Sequence, residues 1–232
     1  MAENRLDGRL SSVARLVRQG AVFCDIGTDH AYLPIFLLKT GRIERAVLTD
    51  INEGPLLSAR TNIESEGLSG RVEFFKTDGA LGLDGLGISD YAVCGMGGEL
   101  IARIVKDAPH MARNGVQLIL QPMTKHAALR KELYSLGYTV ERELYSYAEG
   151  KYYLCLLASY TGEKRVLTEV EYELGEAEKI DTSPEYYAFL SAKARTLEKQ
   201  IRGRSEGGFD TSRLVLIQNE ITERLRKAGN LE

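Results

Sequence analysis

Four aspartates and a set of glycines are spaced along the first hundred residues in a way that suits ligand chemistry. Asp25 is followed by Gly27, then by Asp29, His30 and Tyr32. Asp50 comes 23 residues after Gly27, Asp78 precedes Gly79, and Gly95, Gly97 and Gly98 surround Met96. An ionised carboxylate only accepts hydrogen bonds, so it suits a cationic or hydroxyl-bearing ligand. A glycine lets a ligand approach the backbone where any β-carbon would collide. Each feature alone is weak, because aspartate also caps turns and helices, and Asp25 with Gly27 can equally shape an ordinary turn.

These residues need strand ends to stand on. Ala21 to Cys24 is an apolar run of the kind a buried parallel strand shows, and it leads through Asp25 and Gly27 into a helix over 32–40 that Gly41 ends. Ala46 to Thr49 predicts a second strand closing in Asp50, before a helix over 55–66 with Pro55 in its first turn. Val72 to Lys76 predicts a third strand, closing in Thr77-Asp78-Gly79. Tyr91 to Cys94 predicts a fourth, closing in Gly95-Met96-Gly97-Gly98 before a helix over 99–106. Val116 to Leu120 predicts a fifth, closing in Gln121-Pro122 before a helix over 125–135. This alternation predicts a parallel sheet with helices on both faces. Ligands of such sheets lie beyond the carboxyl ends of the strands, which is where the aspartates fall.

Then the rhythm changes. Tyr138 to Ser146 and Tyr152 to Ser159 are strand-like, and Ala148-Glu149-Gly150-Lys151 between their ends has hairpin spacing. A nicotinamide-binding doubly wound fold is expected to continue with another helix and parallel strand. The seven-stranded fold that uses S-adenosylmethionine (SAM) ends in this hairpin. The expected fold class is therefore α/β, a Rossmann-like class I methyltransferase sheet, with SAM as the ligand. Asp50, with Ile51 after it, then accepts hydrogen bonds from the ribose hydroxyls, and Asp78 with Gly79 from the adenine amine. Gly95, Met96 and Gly97 shape an acceptor pocket or form a simple turn. Gln121 reads a base edge or only ties its loop. Tyr32 and His30 stack on a base or on the sulfonium end, or His30 is a satisfied turn residue.

The rest of the chain is helical in pattern. Residues 4–19 predict a short helix with Leu6, Leu10, Val13 and Val17 on one face and Arg5, Arg9, Arg15 and Arg18 on the others. Glu163 to Ile180 is acidic and predicts a helix. Residues 186–204 and 212–227 repeat apolar stripes that predict an antiparallel helical hairpin with heptad-like seams. The first of the pair is basic, with Lys193, Arg195, Lys199, Arg202 and Arg204 against Glu198. Such basic faces are either solvated surfaces or phosphate contacts. The expected division is a catalytic domain over 1–160 and a helical, coiled-coil-like domain over 161–232.

Bulk properties narrow the function classes. The net charge of −3 excludes a wholly basic nucleic-acid binder but not a local basic face. No apolar run reaches the roughly 18 residues of a membrane span, and no signal peptide is visible, so a cytoplasmic protein is expected. Cys24, Cys94 and Cys155 and the histidines His30, His110 and His126 are scattered without zinc-ligand spacing, so no metal is expected.

Asp-Ile-Gly-Thr-Asp-His-Ala-Tyr-Leu-Pro (25–34), Thr-Asp-Ile (49–51), Thr-Asp-Gly (77–79), Cys-Gly-Met-Gly-Gly (94–98) and Gln-Pro (121–122) together resemble the bacterial tRNA adenine-N1 methyltransferase family. That family modifies adenine 22 in the D arm of certain tRNAs. The resemblance spans the catalytic domain, and the tail is similar to the family's coiled-coil-like C-terminal domain. It implies SAM as cofactor, tRNA as partner, and a SAM site built from Asp25, Gly27, His30, Tyr32, Asp50, Ile51, Asp78, Gly79, Gly95, Met96 and Gly97. Two departures from methyltransferases in general stand out. Only Gly27 of the usual glycine-rich loop is kept, with Asp29 and Ala31 at the later glycine positions. The Asn/Asp-Pro-Pro-aromatic motif of many amino-group methyltransferases is replaced by Gly95 to Gly98, which fits a ring-nitrogen acceptor.

The implied reaction is in-line methyl transfer to N1 of adenine, with Asp29 stabilising the cationic product and accepting a proton from N6. Arg5, Arg9, Lys193, Arg195, Lys199 and Arg202 are the candidate RNA contacts. Two alternatives stay open: a methyltransferase for a small molecule or protein, and a catalytically silent SAM- or RNA-binding module.

Overall fold

The computed structural model describes residues 6–229. Seven strands form one sheet in the order β3-β2-β1-β4-β5-β7-β6. They are β1 (Ala21–Ile26), β2 (Ile43–Asp50), β3 (Val72–Lys76), β4 (Asp90–Gly97), β5 (Gln117–Thr124), β6 (Tyr138–Ala148) and β7 (Lys151–Tyr160). The first five are parallel, and β7 runs antiparallel between β5 and β6. The expected seven-stranded sheet with its closing hairpin is present, and Glu149 and Gly150 turn that hairpin with positive φ.

The helices are α1 (Gly8–Leu16), α2 (Tyr32–Lys39), α3 (Glu53–Ser65), α4 (Gly98–Asp107), α5 (His126–Leu136), α6 (Glu169–Leu174), α7 (Pro184–Glu206) and α8 (Ser212–Lys227). Side chains alternate across a strand, and the core divides accordingly. Ala21 and Phe23 of β1 join a core with α1, α2 and α3. Cys24 and Ile26 join the opposite core with α4 and α5, which runs on through Tyr186, Leu190, Ile217 and Ile221 of α7 and α8. Asp25 therefore projects toward the α1 side.

Three expectations change. The fourth strand runs through Gly97, with an irregular register against β5 after Cys94. Gly95 (φ +77°) and Gly97 thus belong to a bulged strand end and not to a free turn. A β-carbon on Gly98 would lie 2.4 Å from the Lys125 carbonyl oxygen, so glycine is what lets α4 start against the β5–α5 turn. The helix expected over 4–19 is limited to Gly8–Leu16, because Asp7 caps it by accepting from Leu10 N–H at 2.7 Å and Val17 is already extended.

The acidic segment 163–180 is the third change. Only α6 and one short turn over 177–179 are helical there. A capping box of Thr168 and Glu171 fixes the start. Gly175 ends it in a conformation (φ +79°, ψ 158°) closed to other residues, and a β-carbon there would come within 2.7 Å of the Glu143 carboxylate. That carboxylate belongs to a buried pair. Arg130 donates to Glu143 at 2.8 and 2.6 Å and to the Tyr172 carbonyl at 2.9 Å, tying α5, β6 and α6 together inside the protein.

Candidate active site

The carboxyl edge of the parallel strands collects the sequence-predicted acids. Asp25 lies near the end of β1, Asp50 ends β2, Asp78 follows β3, and Gly95 to Gly97 end β4. A cavity of about 360 Å³ opens between the β1–α2 turn and α1. Asp25, Gly27, Thr28, Asp29, His30 and Tyr32 line one side, and Arg9, Cys94 and Gly95 the other. Asp50, Asp78 and Gly79 stand farther along the same edge, outside this cavity.

The β1–α2 turn is shaped by backbone geometry. Gly27 has φ +76° and Ala31 φ +58°, both left-handed. The Gly27 and Thr28 amides donate to the Thr49 carbonyl at 2.8 and 3.0 Å, which ties the turn to β2. Asn62 of α3 holds its far side by donating to the His30 carbonyl at 3.0 Å. Asp25 is 8% exposed, and burial pushes its carboxyl up to about 6, although the Thr28 hydroxyl and the Arg9 guanidinium pull the other way. A buried carboxyl near 6 is poised to ionise fully beside a bound cation.

Asp29 sits at the rim, with its side chain 71% exposed and 3.3 Å from His30 Nε2. His30 stacks on Tyr32 at 5.3 Å between ring centres, so the two aromatics expected to stack on a ligand form one small platform beside the cavity. Asp50 accepts from the Asn52 amide at 2.7 Å, and Ile51 beside it is exposed. Asp78 is held by both guanidinium nitrogens of Arg103 at 2.9 Å, and these hydrogen bonds keep its carboxyl below the usual carboxylate range. Each Asp78 oxygen keeps a second lone pair for another donor.

Gln121 ties its loop. Fully buried, it accepts from the Gly95 amide at 3.0 Å and from Arg9 at 3.2 Å. Thr49 does similar work at the end of β2, donating to the Gly79 carbonyl at 2.9 Å. Cys94 is half-buried in the cavity wall. Burial, and after it Asp25, push that thiol's pKa up, so it is not a thiolate nucleophile. Among the described residues, no group of three or more His, Cys, Asp or Glu side chains could hold a metal ion, and no helix is long and apolar enough to cross a membrane.

The expected basic faces are thinner than the sequence implied. Arg5 lies outside the described residues. Arg18 does not face a ligand: its guanidinium is spent on Asp90 and on the Ser89 and Gly115 carbonyls, at the amino ends of the strands and so opposite the site. Arg9 points into the cavity, with its side chain 23% exposed. Lys193 pairs with Glu173 at 3.1 Å and Arg202 with Glu198 at 3.7 Å. Arg195 and Lys199 are exposed and have no charged partner among the described residues.

Arg9, Leu10, Thr28, Ala31, Leu33 and Cys94 are the cavity residues that the sequence left unassigned to it. Thr28 sits between two assigned residues, and Arg9 shares a helix face with the buried Val13 and Leu16, four and seven residues on.

The chain matches the family described as a methyltransferase domain over residues 6–156. It is 34% identical over 158 residues to the tRNA (adenine(22)-N(1))-methyltransferase of Bacillus subtilis, a match covering 68% of this chain and 66% of that protein. It superimposes with a TM-score of 0.82 on a Streptococcus pneumoniae protein proposed as a tRNA (m1A22) methyltransferase, at 30% identity over 94% of this chain and 99% of that one. That protein in complex with S-adenosyl-L-methionine gives 0.81 at the same identity and coverage. The M. capricolum protein TrmK with bound S-adenosyl-homocysteine gives 0.76 at 26% identity, over 98% and 99% of the two chains. With its sheet order, closing hairpin and row of strand-end acids, the chain belongs to the tRNA (adenine-22-N1)-methyltransferase family.

Proposed function

We propose that the chain is a cytoplasmic, SAM-dependent enzyme that methylates N1 of adenine 22 in the D arm of tRNA. The observation that carries this is the row of acids along the carboxyl edge, set in a fold that matches SAM-bound relatives over most of its length. The residues fit the cofactor. Gly27 gives the β1–α2 turn its left-handed bend, the buried Asp25 suits a cation, and Asp50 offers acceptors suited to ribose hydroxyls. Asp78 keeps acceptor capacity for the adenine amine, with Ile51 and Gly79 flanking the adenosine end. Gly95, Met96 and Gly97 border the acceptor side, and the His30–Tyr32 platform stands beside it.

When bound, SAM supplies an electrophilic methyl group on a sulfonium sulfur. Adenine N1 carries a lone pair, so no side chain has to deprotonate the nucleophile. The chain's part is to hold the reactants in line and exclude water, which is where effective molarity arises. The new N1–carbon bond leaves a cationic ring. Asp29 is the carboxylate we assign to stabilise that charge and to accept the N6 proton as it leaves. Its exposed position at the rim suits a base that is flipped out of the D arm, at a cost of roughly a few kcal/mol. The helical segment 161–232 is the RNA-holding part, with Arg195, Lys199, Lys193 and Arg202 of α7 along the tRNA backbone. A hollow between the end of β5 and α7 is of mixed charge, with Lys125, Lys131, Lys193 and Arg213 beside Glu99, Glu169 and Glu173.

The test is tritium transfer from labelled SAM to unmodified total tRNA, followed by digestion and nucleoside chromatography. Label in 1-methyladenosine, with a primer-extension stop at position 22, lost in Asp29→Ala with SAM binding retained, supports both the activity and the assignment of Asp29. Label retained in that variant removes Asp29 alone. SAM binding without label in any tRNA overturns the substrate and favours a small-molecule or protein acceptor.

A further inference from the structure

Arg9 is a cation built into the cofactor cavity. Its position is set from both ends of its helix turn. Asp7 caps α1 just before it. A β-carbon on the preceding residue, Gly8, would lie 2.7 Å from the Tyr147 carbonyl oxygen, so glycine lets α1 sit directly on the end of β6. The guanidinium reaches across to β4 and β5. Its Nη1 donates to Gln121 Oε1 at 3.2 Å and lies 3.6 Å from where a β-carbon of Gly95 would be. Its Nη2 is 3.8 Å from Asp7, too long for a hydrogen bond. A guanidinium carries five N–H donors. Among the described residues only one of those of Arg9 has an acceptor, and the cavity it faces also holds Asp25.

A polyanion is a poor occupant of that space. A phosphate meeting Arg9 would also meet the carboxylates of Asp25 and Asp29. A zwitterion fits better, with its cation on Asp25 and its anion on Arg9. The acids suited to the nucleoside, Asp50 and Asp78, lie outside this cavity, which leaves it for the amino-acid end of the cofactor. We propose that Arg9 binds the α-carboxylate of SAM and is therefore a cofactor-binding residue of the N-terminal helix, not an RNA contact. This rests on the SAM-dependent reading of the site. Because Gln121 joins Arg9 to the Gly95 amide, the same contact couples an occupied cofactor site to the acceptor strand end.

The experiment compares two ligands by calorimetry on the full chain: S-adenosyl-homocysteine, and its analogue in which hydrogen replaces the carboxylate. The wild type is expected to prefer the carboxylate-bearing ligand by roughly tenfold or more, the usual scale of a charge-assisted hydrogen bond. In Arg9→Met the two affinities converge, and in Arg9→Lys the preference is intermediate. Each preference is a ratio within one variant, so a change in folded fraction cancels. A wild-type preference that Arg9→Met keeps, together with weakened tRNA binding, overturns the proposal and returns Arg9 to the RNA. Equal wild-type affinities also overturn it while leaving SAM binding intact. No binding of either ligand by the wild type overturns the cofactor reading itself.

Discussion

The terminal methyl of Met96 lies 2.0 Å from the place a β-carbon would occupy on Gly27, so the end of β4 leans directly over the glycine after β1. Gly27→Ala puts an L-residue at φ +76°, at a cost of about 1–2 kcal/mol. It also pushes the flexible Met96 side chain into the space beside the cavity. The expected result is a melting temperature lower by roughly 2–8 °C, with SAM affinity reduced more than tenfold. Adding Met96→Ala relieves the collision but not the backbone strain, so the double variant recovers only part of the stability. Thermal melts with and without SAM measure both, and unchanged SAM affinity in Gly27→Ala would remove this glycine from the site.

Asp25→Asn should stabilise the free protein and abolish SAM binding. Burial raises the folded-state carboxyl to about 6 from an ordinary 3.8. The folded form therefore holds more protons than the unfolded one between those values. The stability this group contributes is complete below about 3.8 and is lost as the pH rises through about 6. The asparagine carries no such dependence. The variant's advantage should be absent at pH 3.5, grow through pH 4–6, and level off at about 3 kcal/mol. Denaturation across that range checks the sign. In the wild type, SAM affinity should weaken as the pH falls through about 6, because the protonated carboxyl no longer attracts a cation.

Most of the frame was legible because buried parallel strands are short apolar runs punctuated by Asp and Gly, and those punctuating residues stand at the carboxyl edge of the sheet. The cavity wall opposite was not. Arg9 meets Gln121 across 112 residues of sequence, and a helix with two faces of mixed character does not announce which arginine turns inward. Gln121 was open between reading a base and tying a loop, and only its partners, Gly95 and Arg9, settle it. The segment 163–180 failed as a helix for a tertiary reason. Gly175 has to pass close to a buried carboxylate on β6, and no local propensity encodes that approach.

Glu143 and Arg130 are each 1% exposed, so neither can lose its partner cheaply. Glu143→Ala leaves a buried guanidinium without its carboxylate, although it keeps the Tyr172 carbonyl, and a loss of about 3–5 kcal/mol is expected. Replacing both by leucine removes both buried charges and should recover much of that loss. Denaturant titration of Glu143→Leu, Arg130→Leu and the double leucine variant forms the cycle. Additive losses would mean that the two side chains do not act as a pair.

The basic side chains of α7 are unequally committed to partners, and salt dependence should rank them. Each phosphate contact removed lowers the slope of log affinity against log salt by about 0.7 to 1. Arg195 and Lys199 are exposed and uncommitted among the described residues, so Arg195→Ala and Lys199→Ala should each lower the tRNA slope by about that amount and leave SAM affinity unchanged. Lys193 must first leave Glu173 to reach a phosphate, so Lys193→Ala should change the slope less. Glu173→Gln frees Lys193 and should raise the slope, since it removes a carboxylate from the same hollow. Filter binding of tRNA over a series of salt concentrations gives all four slopes. If Arg195 and Lys199 leave the slope unmoved, α7 is a solvated surface and the tRNA lies elsewhere.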